Sequence, residues 1–402
     1  MTAAPSVGNP IATWLSTRLP TKATPLVVAL LTTGLYAAYV FWRLRLMGYD
    51  SSFFVVAGPD LTDPALTLPN LHVWPPGVTY DGQFYYRLAL EPWTAARTAY
   101  GITLDLPAYR QQRVLYPVLV WLLSAGSWRL VPTALIVANL LAVSVLSYCA
   151  ALFTAAFGRN AFASVLVTLY PGYVVTISRD LAELTEAAAL LLGIVLLQRR
   201  RYAAAAGALL VSMLAKETML LVPLVGCAVW ATRWLRRRQT SARELLVWLT
   251  PLFGYAVWCL LLWVRWDSSP IGQGSVNFGP PFVALSEHLK TLGLGTSAWR
   301  ASALEIALLV LLTAMVLLVI AIYQLDILDS VLAVACVAYA LLALWYAPYV
   351  WSDDHSYLRA LHEIAFAGAL ALIARSVWTT RVLGFAAGGL WLAFAFQSGP
   401  AP

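Results

Sequence analysis

The sequence predicts an all-α protein, a polytopic transmembrane helical bundle, and three observations carry that reading. Only 11% of the 402 residues are charged and 61% are hydrophobic, against roughly a quarter charged in a soluble domain. Many apolar runs are long enough to cross roughly 30 Å of hydrocarbon. The basic residues gather in short clusters between those runs, as cytoplasmic loops do. A net charge of +7 without a soluble basic face excludes a nucleic-acid-binding role.

Taken in order, the candidate spans are 25–47, 114–126, 131–157, 161–177, 181–198, 202–214, 218–235, 245–264, 301–323, 331–349, 359–377 and 382–396. They give about 11–13 membrane helices in a single membrane domain, 1–402. The run 25–47 is too long for a signal-peptide core and lacks a small-residue cleavage site, so it stays as an anchor. Two polar stretches, 48–113 and 265–300, are long enough to carry structure of their own. Cys149, Cys227, Cys259 and Cys336 all lie in apolar runs without CxxC spacing and read as small hydrophobes.

Arg199-Arg200-Arg201 and Arg236-Arg237-Arg238 are the strongest basic clusters and are expected to face the cytoplasm. The hinge Ala215–Thr218 between them then faces out. Alternation places 265–300, 351–357 and 178–183 outside as well, with 326–329 inside. A cytoplasmic amino terminus, marked by Arg18 and Lys22, puts 48–113 outside. One interval does not alternate: four spans separate the first loop from Arg199, where an odd number is required. Either 114–126 enters the bilayer only in part, or Pro171-Gly172 breaks a helix differently.

This orientation brings four polar clusters to one surface. Charged groups at membrane depth cost a few kcal/mol and mark function when buried in protein, so their convergence predicts a single outward-facing cavity. In the stretch YDGQFYYRLALEP, 80–92, Asp81 begins an expected amphipathic helix along the membrane surface. There its carboxylate could take a proton from an acceptor hydroxyl; the bland alternative is an Asp-Gly turn. Asp180, Glu183 and Glu186 recur at three-residue spacing along one helix face, with N-capping as the alternative for Asp180 and Glu183. Lys216 could bind a lipid phosphate as a point charge, or form an ion pair with Glu217 that plugs the helix junction. In WSDDHSYLRALHEI, 351–364, a continuous helix would line up His355, Arg359 and His362 in one stripe and pair Arg359 with Glu363. That stripe suits phosphate. A metal site at Asp353, Asp354 and His355 lacks a recognised ligand spacing.

The stretch YDGQFYYRLALEP and the following RVLYPVLVWLLS, 113–124, resemble the first outer loop and succeeding segment of GT-C membrane glycosyltransferases. The nearest likeness is to PIG-V-like mannosyltransferases and bacterial surface-glycopolymer proteins. YPGYVVTISRDLAELTEAAALLL and LAKETMLLVPL resemble later segments of that bacterial group. The likeness covers 25–235 and leaves 236–402 as variable carboxyl-terminal helices. It implies a GT-C-like fold in the bacterial plasma membrane, with an extracytoplasmic active site and Asp81 as general base. It also implies a polyprenyl-phosphate-sugar donor, and a glycan, glycolipid or protein acceptor. Asp180 and Glu183 are the further catalytic candidates. Gln83, Tyr85, Arg113, Arg179, Lys216, Glu217, His355, Arg359 and His362 are the candidate substrate- or phosphate-binding residues. No cofactor and no metal are expected, and no nucleotide-binding Gly-rich loop is present. The rival readings are a flippase for a lipid-linked saccharide and a non-catalytic subunit of a glycopolymer assembly complex.

Overall fold

A computed structural model describes residues 24–292, 299–352 and 356–397. It is a bundle of α-helices: α1 (Thr24–Leu46), α2 (Gly82–Leu90), α3 (Pro107–Gln111), α4 (Leu115–Leu123), α5 (Val131–Ala156), α6 (Val165–Thr168), α7 (Gly172–Ser178), α8 (Glu183–Gln198), α9 (Tyr202–Ala215) and α10 (Leu221–Leu235). There follow α11 (Ala242–Trp266), α12 (Pro270–Gly274), α13 (Val283–Thr291), α14 (Trp299–Tyr323), α15 (Val331–Ala343), α16 (Pro348–Ser352), α17 (Ser356–Ala360), α18 (His362–Arg375) and α19 (Val377–Gln397). The paired β-strands among the described residues are β1 (Thr98–Ala99) and β2 (Ile102–Thr103), a two-stranded antiparallel ribbon in the first long loop.

Six helices are long and apolar enough to cross a membrane, and a seventh span results if the pair 161–168 and 172–178, bent by 66°, counts as one. The outer surface fits that reading: Leu30, Phe253, Val264 and Phe385 are 64, 74, 78 and 83% exposed, a cost in water but none against lipid tails. Together they mark an integral membrane protein. The count of 11–13 membrane helices is not reached by length. α8, α9, α15 and α18 have 16, 14, 13 and 14 residues, below the roughly 20 that span unaided. They nonetheless run between two cavities at opposite ends of the bundle, one lined by Glu183, Lys216, Leu342 and Glu363, the other by Gln198, Tyr202, Val331 and Arg375.

The parity problem has a physical answer. α4 is 9 residues long, about 14 Å at 1.5 Å per residue, and cannot cross. Pro171 breaks the following span, so α6 and α7 meet at 66°. Three transits then separate the first loop from Arg199. The charge alternation is visible as geometry: at one end Arg238 meets Asp329 at 2.6 Å, Arg236 meets it at 3.7 Å and Arg375 meets Asp326 at 3.6 Å. The loops expected outside gather at the opposite end.

There the first loop folds as a compact cap with its own core, in which Val55, Ala57, Tyr80, Tyr86 and Ile102 pack against Tyr116, Leu135 and Leu181. α2 belongs to this core. Gly82 to Ala89 are all buried, so α2 is not the interfacial amphipathic helix expected from its sequence. Its approach is close: a Cβ on Gly82 would stand 2.4 Å from the Val55 carbonyl and 2.5 Å from that of Arg179. The second long loop covers the first, with the Tyr109 amide donating to Gln273 Oε1 at 3.0 Å.

The break at Pro171 is docked rather than free. Tyr170 donates to the Leu358 carbonyl at 2.6 Å, and a Cβ on Gly172 would lie 2.4 Å from the same oxygen.

Candidate active site

Asp81 is the N-cap residue of α2, yet its side chain makes no capping hydrogen bond. The carboxylate turns instead to three guanidiniums: Arg359 at 2.6 Å, Arg110 at 2.9 Å and Arg113 at 3.9 Å. Burial alone would raise the Asp81 pKa, but Arg359, Arg110 and Arg113 outweigh it and hold the carboxyl well below the usual carboxylate range. The turn reading of Asp-Gly therefore misses where the side chain goes. Tyr80 supports the cluster from below, with Arg179 4.4 Å and Arg359 5.0 Å from its ring centroid.

Two of these arginines are themselves anchored. Pro107 opens α3 at its first turn, the position where its missing N–H costs nothing. Arg110 is thereby presented to Asp105, which it grips in bidentate fashion at 2.8 and 2.9 Å. Arg113 grips Glu217 at 2.7 and 2.5 Å. Glu217 therefore does not pair with Lys216 across the junction. Lys216 breaks the chain between α9 and α10 in an extended conformation (φ −157°, ψ 128°) and points elsewhere. Its ammonium lies 3.1 Å from Glu363, 3.5 Å from Glu183 and 3.9 Å from Glu186. Burial opposes that charge, but Glu363, Glu183 and Glu186 outweigh it and hold the ammonium above its usual range.

The segment 351–364 is not one helix. It breaks at Leu361 between α17 and α18, so Arg359 and Glu363 do not pair. Arg359 faces Asp81 and Glu363 faces Lys216, while Thr218 donates to Glu363 at 2.6 Å. His362 turns inward to Glu186 at 2.8 Å, which supplies the partner that a buried Glu186 needs. Asp353, Asp354 and His355 lie outside the described residues.

Most of these groups, though neither Glu186 nor the phosphate candidate His362, line a cavity of about 790 Å³. Four cations, Arg110, Arg113, Lys216 and Arg359, face five acids, Asp81, Asp105, Glu183, Glu217 and Glu363. The other wall is apolar and built from Leu220, Leu221, Leu224, Ile271, Val276 and Leu342. Leu224, Ile271 and Val276 are 46, 67 and 54% exposed, so the apolar wall reaches the outer surface of the bundle. A charged end and a greasy, laterally open end suit an amphipathic ligand.

Several sequence-picked residues stand apart from this cavity. Gln83 is 1% exposed and structural: it accepts from Thr62 Oγ1 at 2.8 Å and donates to Thr79 at 2.7 Å. Tyr85 packs edge-on against Tyr116 at 5.3 Å. Arg179 is buried against Tyr80 rather than lining the cavity. Asp180 is no N-cap of α8, whose N-cap is Ala182. It adopts φ +50° while the Leu181 amide bonds the Thr176 carbonyl at 2.9 Å, the left-handed closure that ends a helix. Asp180 is 0% exposed, and neither of its oxygens has a hydrogen-bond partner among the described residues. Burial pushes its pKa well above the usual carboxylate range and so disfavours the ionised form.

Sequence reasoning missed Arg110, Asp105 and Asn277. The signal for the first lay in PAYRQQR, where proline starts a turn of helix and Arg110 and Arg113 follow at three-residue spacing. Nothing local marks Asn277, which donates to Tyr109 Oη at 3.0 Å from the far loop. Glu186, His362 and Glu363 hold their donor atoms within 4.8 Å of one another, as metal ligands do. Lys216, however, already sets a cation against that group.

No protein-family profile matches the chain, and neither curated proteins nor solved structures yield a match.

Proposed function

We propose that the protein is an integral-membrane, inverting glycosyltransferase of GT-C type. It moves a sugar from a polyprenyl-phosphate donor to an acceptor hydroxyl at the extracytoplasmic face. One observation carries the reading: a single cavity joins the Asp81–arginine–Lys216 cluster to an apolar wall that reaches the protein surface. The lipid tail lies along Leu220, Leu221 and Leu224, and the phosphate meets Arg359, Arg110, Arg113 and Lys216. Asp81 removes the acceptor proton as the acceptor oxygen attacks the anomeric carbon. The guanidiniums stabilise charge growing on the departing phosphate, a preorganised electrostatic role. The acidic faces of Glu183 and Glu363 are suited to sugar hydroxyls, which donate hydrogen bonds to carboxylates. The arginine loops Arg199–Arg201 and Arg236–Arg238 at the opposite end support the extracytoplasmic assignment.

The test is a transfer assay in reconstituted vesicles with Asp81→Asn. A lost general base predicts a drop of about 10²-fold or more, and activity near wild type removes Asp81 from that role. A second reading has one specific observation in its favour. The span bent by 66° at Pro171 resembles the interrupted helices of transporters, and movement of a lipid-linked saccharide without a new glycosidic bond would establish that reading instead.

A further inference from the structure

The cavity's cations are not spare. Arg110 is committed to Asp105 through two short contacts, 2.8 and 2.9 Å, and Arg113 to Glu217 through two more, 2.7 and 2.5 Å. Lys216 lies 3.1 Å from Glu363 and 3.5 Å from Glu183. A phosphate added to this set would be one more anion among five acids that already outnumber the four bases. Repulsion between unit charges a few ångströms apart in a partly buried site amounts to several kcal/mol. One carboxylate differs from the rest. Asp81 is shared by Arg359, Arg110 and Arg113 together, whereas among the described residues Asp105 pairs only with Arg110 and Glu217 only with Arg113. Its withdrawal frees one face on three guanidiniums at once, a triangle of donors that fits phosphate oxygens.

We propose that the Asp81 carboxylate is the resident occupant of the anion site and that the donor phosphate enters by exchanging with it. This rests on the glycosyl-transfer reading above and adds an order of events to it. In the empty site Asp81 is neutralised by the arginines and is a poor base. Once phosphate holds the arginines, the displaced carboxylate is free to accept the acceptor proton. The acceptor oxygen then bonds the anomeric carbon, and the bond from that carbon to the phosphate oxygen breaks, its electron pair leaving with the phosphate. One negative charge passes from Asp81, now a neutral acid, to the lipid phosphate on the arginines, and the site's total charge is unchanged. Proton abstraction is thereby tied to donor loading.

Binding of farnesyl phosphate to the purified full-length protein in detergent tests the exchange. Asp81→Asn removes the competitor and is expected to bind at least about tenfold more tightly than wild type, while Arg359→Gln binds at least about tenfold more weakly. Equal or weaker binding by Asp81→Asn, with binding still dependent on Arg359, overturns the exchange and leaves the glycosyltransferase reading standing. No farnesyl phosphate binding by any form overturns both. Because Asp81→Asn leaves three guanidiniums without their shared acid and can unfold, wild type supplies an independent arm. Carbodiimide labelling of the Asp81 carboxyl, read by peptide mass spectrometry, is expected to rise on adding farnesyl phosphate. Unchanged or diminished labelling overturns the exchange.

Discussion

Asp180 and Lys216 show how differently two buried charges can be handled. Lys216 keeps its ammonium because Glu363 and Glu183 stand 3.1 and 3.5 Å away. Asp180 has no such partner among the described residues, and burial raises its pKa and disfavours its ionised form. An acid whose folded pKa lies above its unfolded value adds nothing below the unfolded pKa, and destabilises as pH rises past it. Asp180→Asn keeps a residue that tolerates the left-handed conformation and removes the ionisation. The variant is expected to unfold at a higher temperature than wild type at pH 7. The gap should close toward pH 4, changing by up to about 1.4 kcal/mol per pH unit. A pH series of unfolding midpoints in detergent checks this, and a gap independent of pH contradicts it. At this scale the sequence was legible where charge interrupts apolar runs, as at Lys216 and Arg359. It was opaque where polarity is ordinary. Arg110 looks like any loop arginine, and Gln83, conspicuous beside Asp81, spends its amide on Thr62 and Thr79.

Helix α2 positions Asp81 because it can press against two backbone carbonyls, an approach that only glycine permits. Gly82→Ala forces a Cβ to 2.4 Å from the Val55 oxygen, so α2 and the Asp81 carboxylate must shift. The expected cost is about 2 kcal/mol or more, with loss of transfer activity. Gly207→Ala in α9, where no atom lies within 4 Å, is the matched control and is expected to be neutral or to gain up to about 1 kcal/mol. Comparable midpoints for the two variants would show that the close approach at Gly82 is not structural. Elements were legible where hydropathy sets them, as for α1, α5 and α11. They were misread where tertiary burial overrides pattern: the alternation in α2 suggested an interface helix, although the loop core closes over it on all sides. The break at Leu361 has no glycine or proline to announce it. On its two sides Arg359 reaches Asp81 and Glu363 reaches Lys216.

Across the whole molecule, the basic loops meet at one end and the candidate site lies at the other. Single cysteines at Gln239 and Ser275, which line the two opposite cavities, are expected to react with a membrane-impermeant thiol reagent from opposite sides of sealed vesicles. Labelling of both from the same side would refute the two-ended arrangement. Positive-charge clustering made this alternation readable from sequence, whereas the count of crossings was not. Four helices run between the two ends with too few residues to register as spans, and two of them, α8 and α18, are mostly buried by their neighbours.

The Leu358 carbonyl receives the Tyr170 hydroxyl at 2.6 Å and sits one residue before Arg359. The elbow at Pro171 and the cation that grips Asp81 are thus riveted to a single peptide unit. A change in membrane thickness that flexes this elbow would be transmitted to the grip on Asp81.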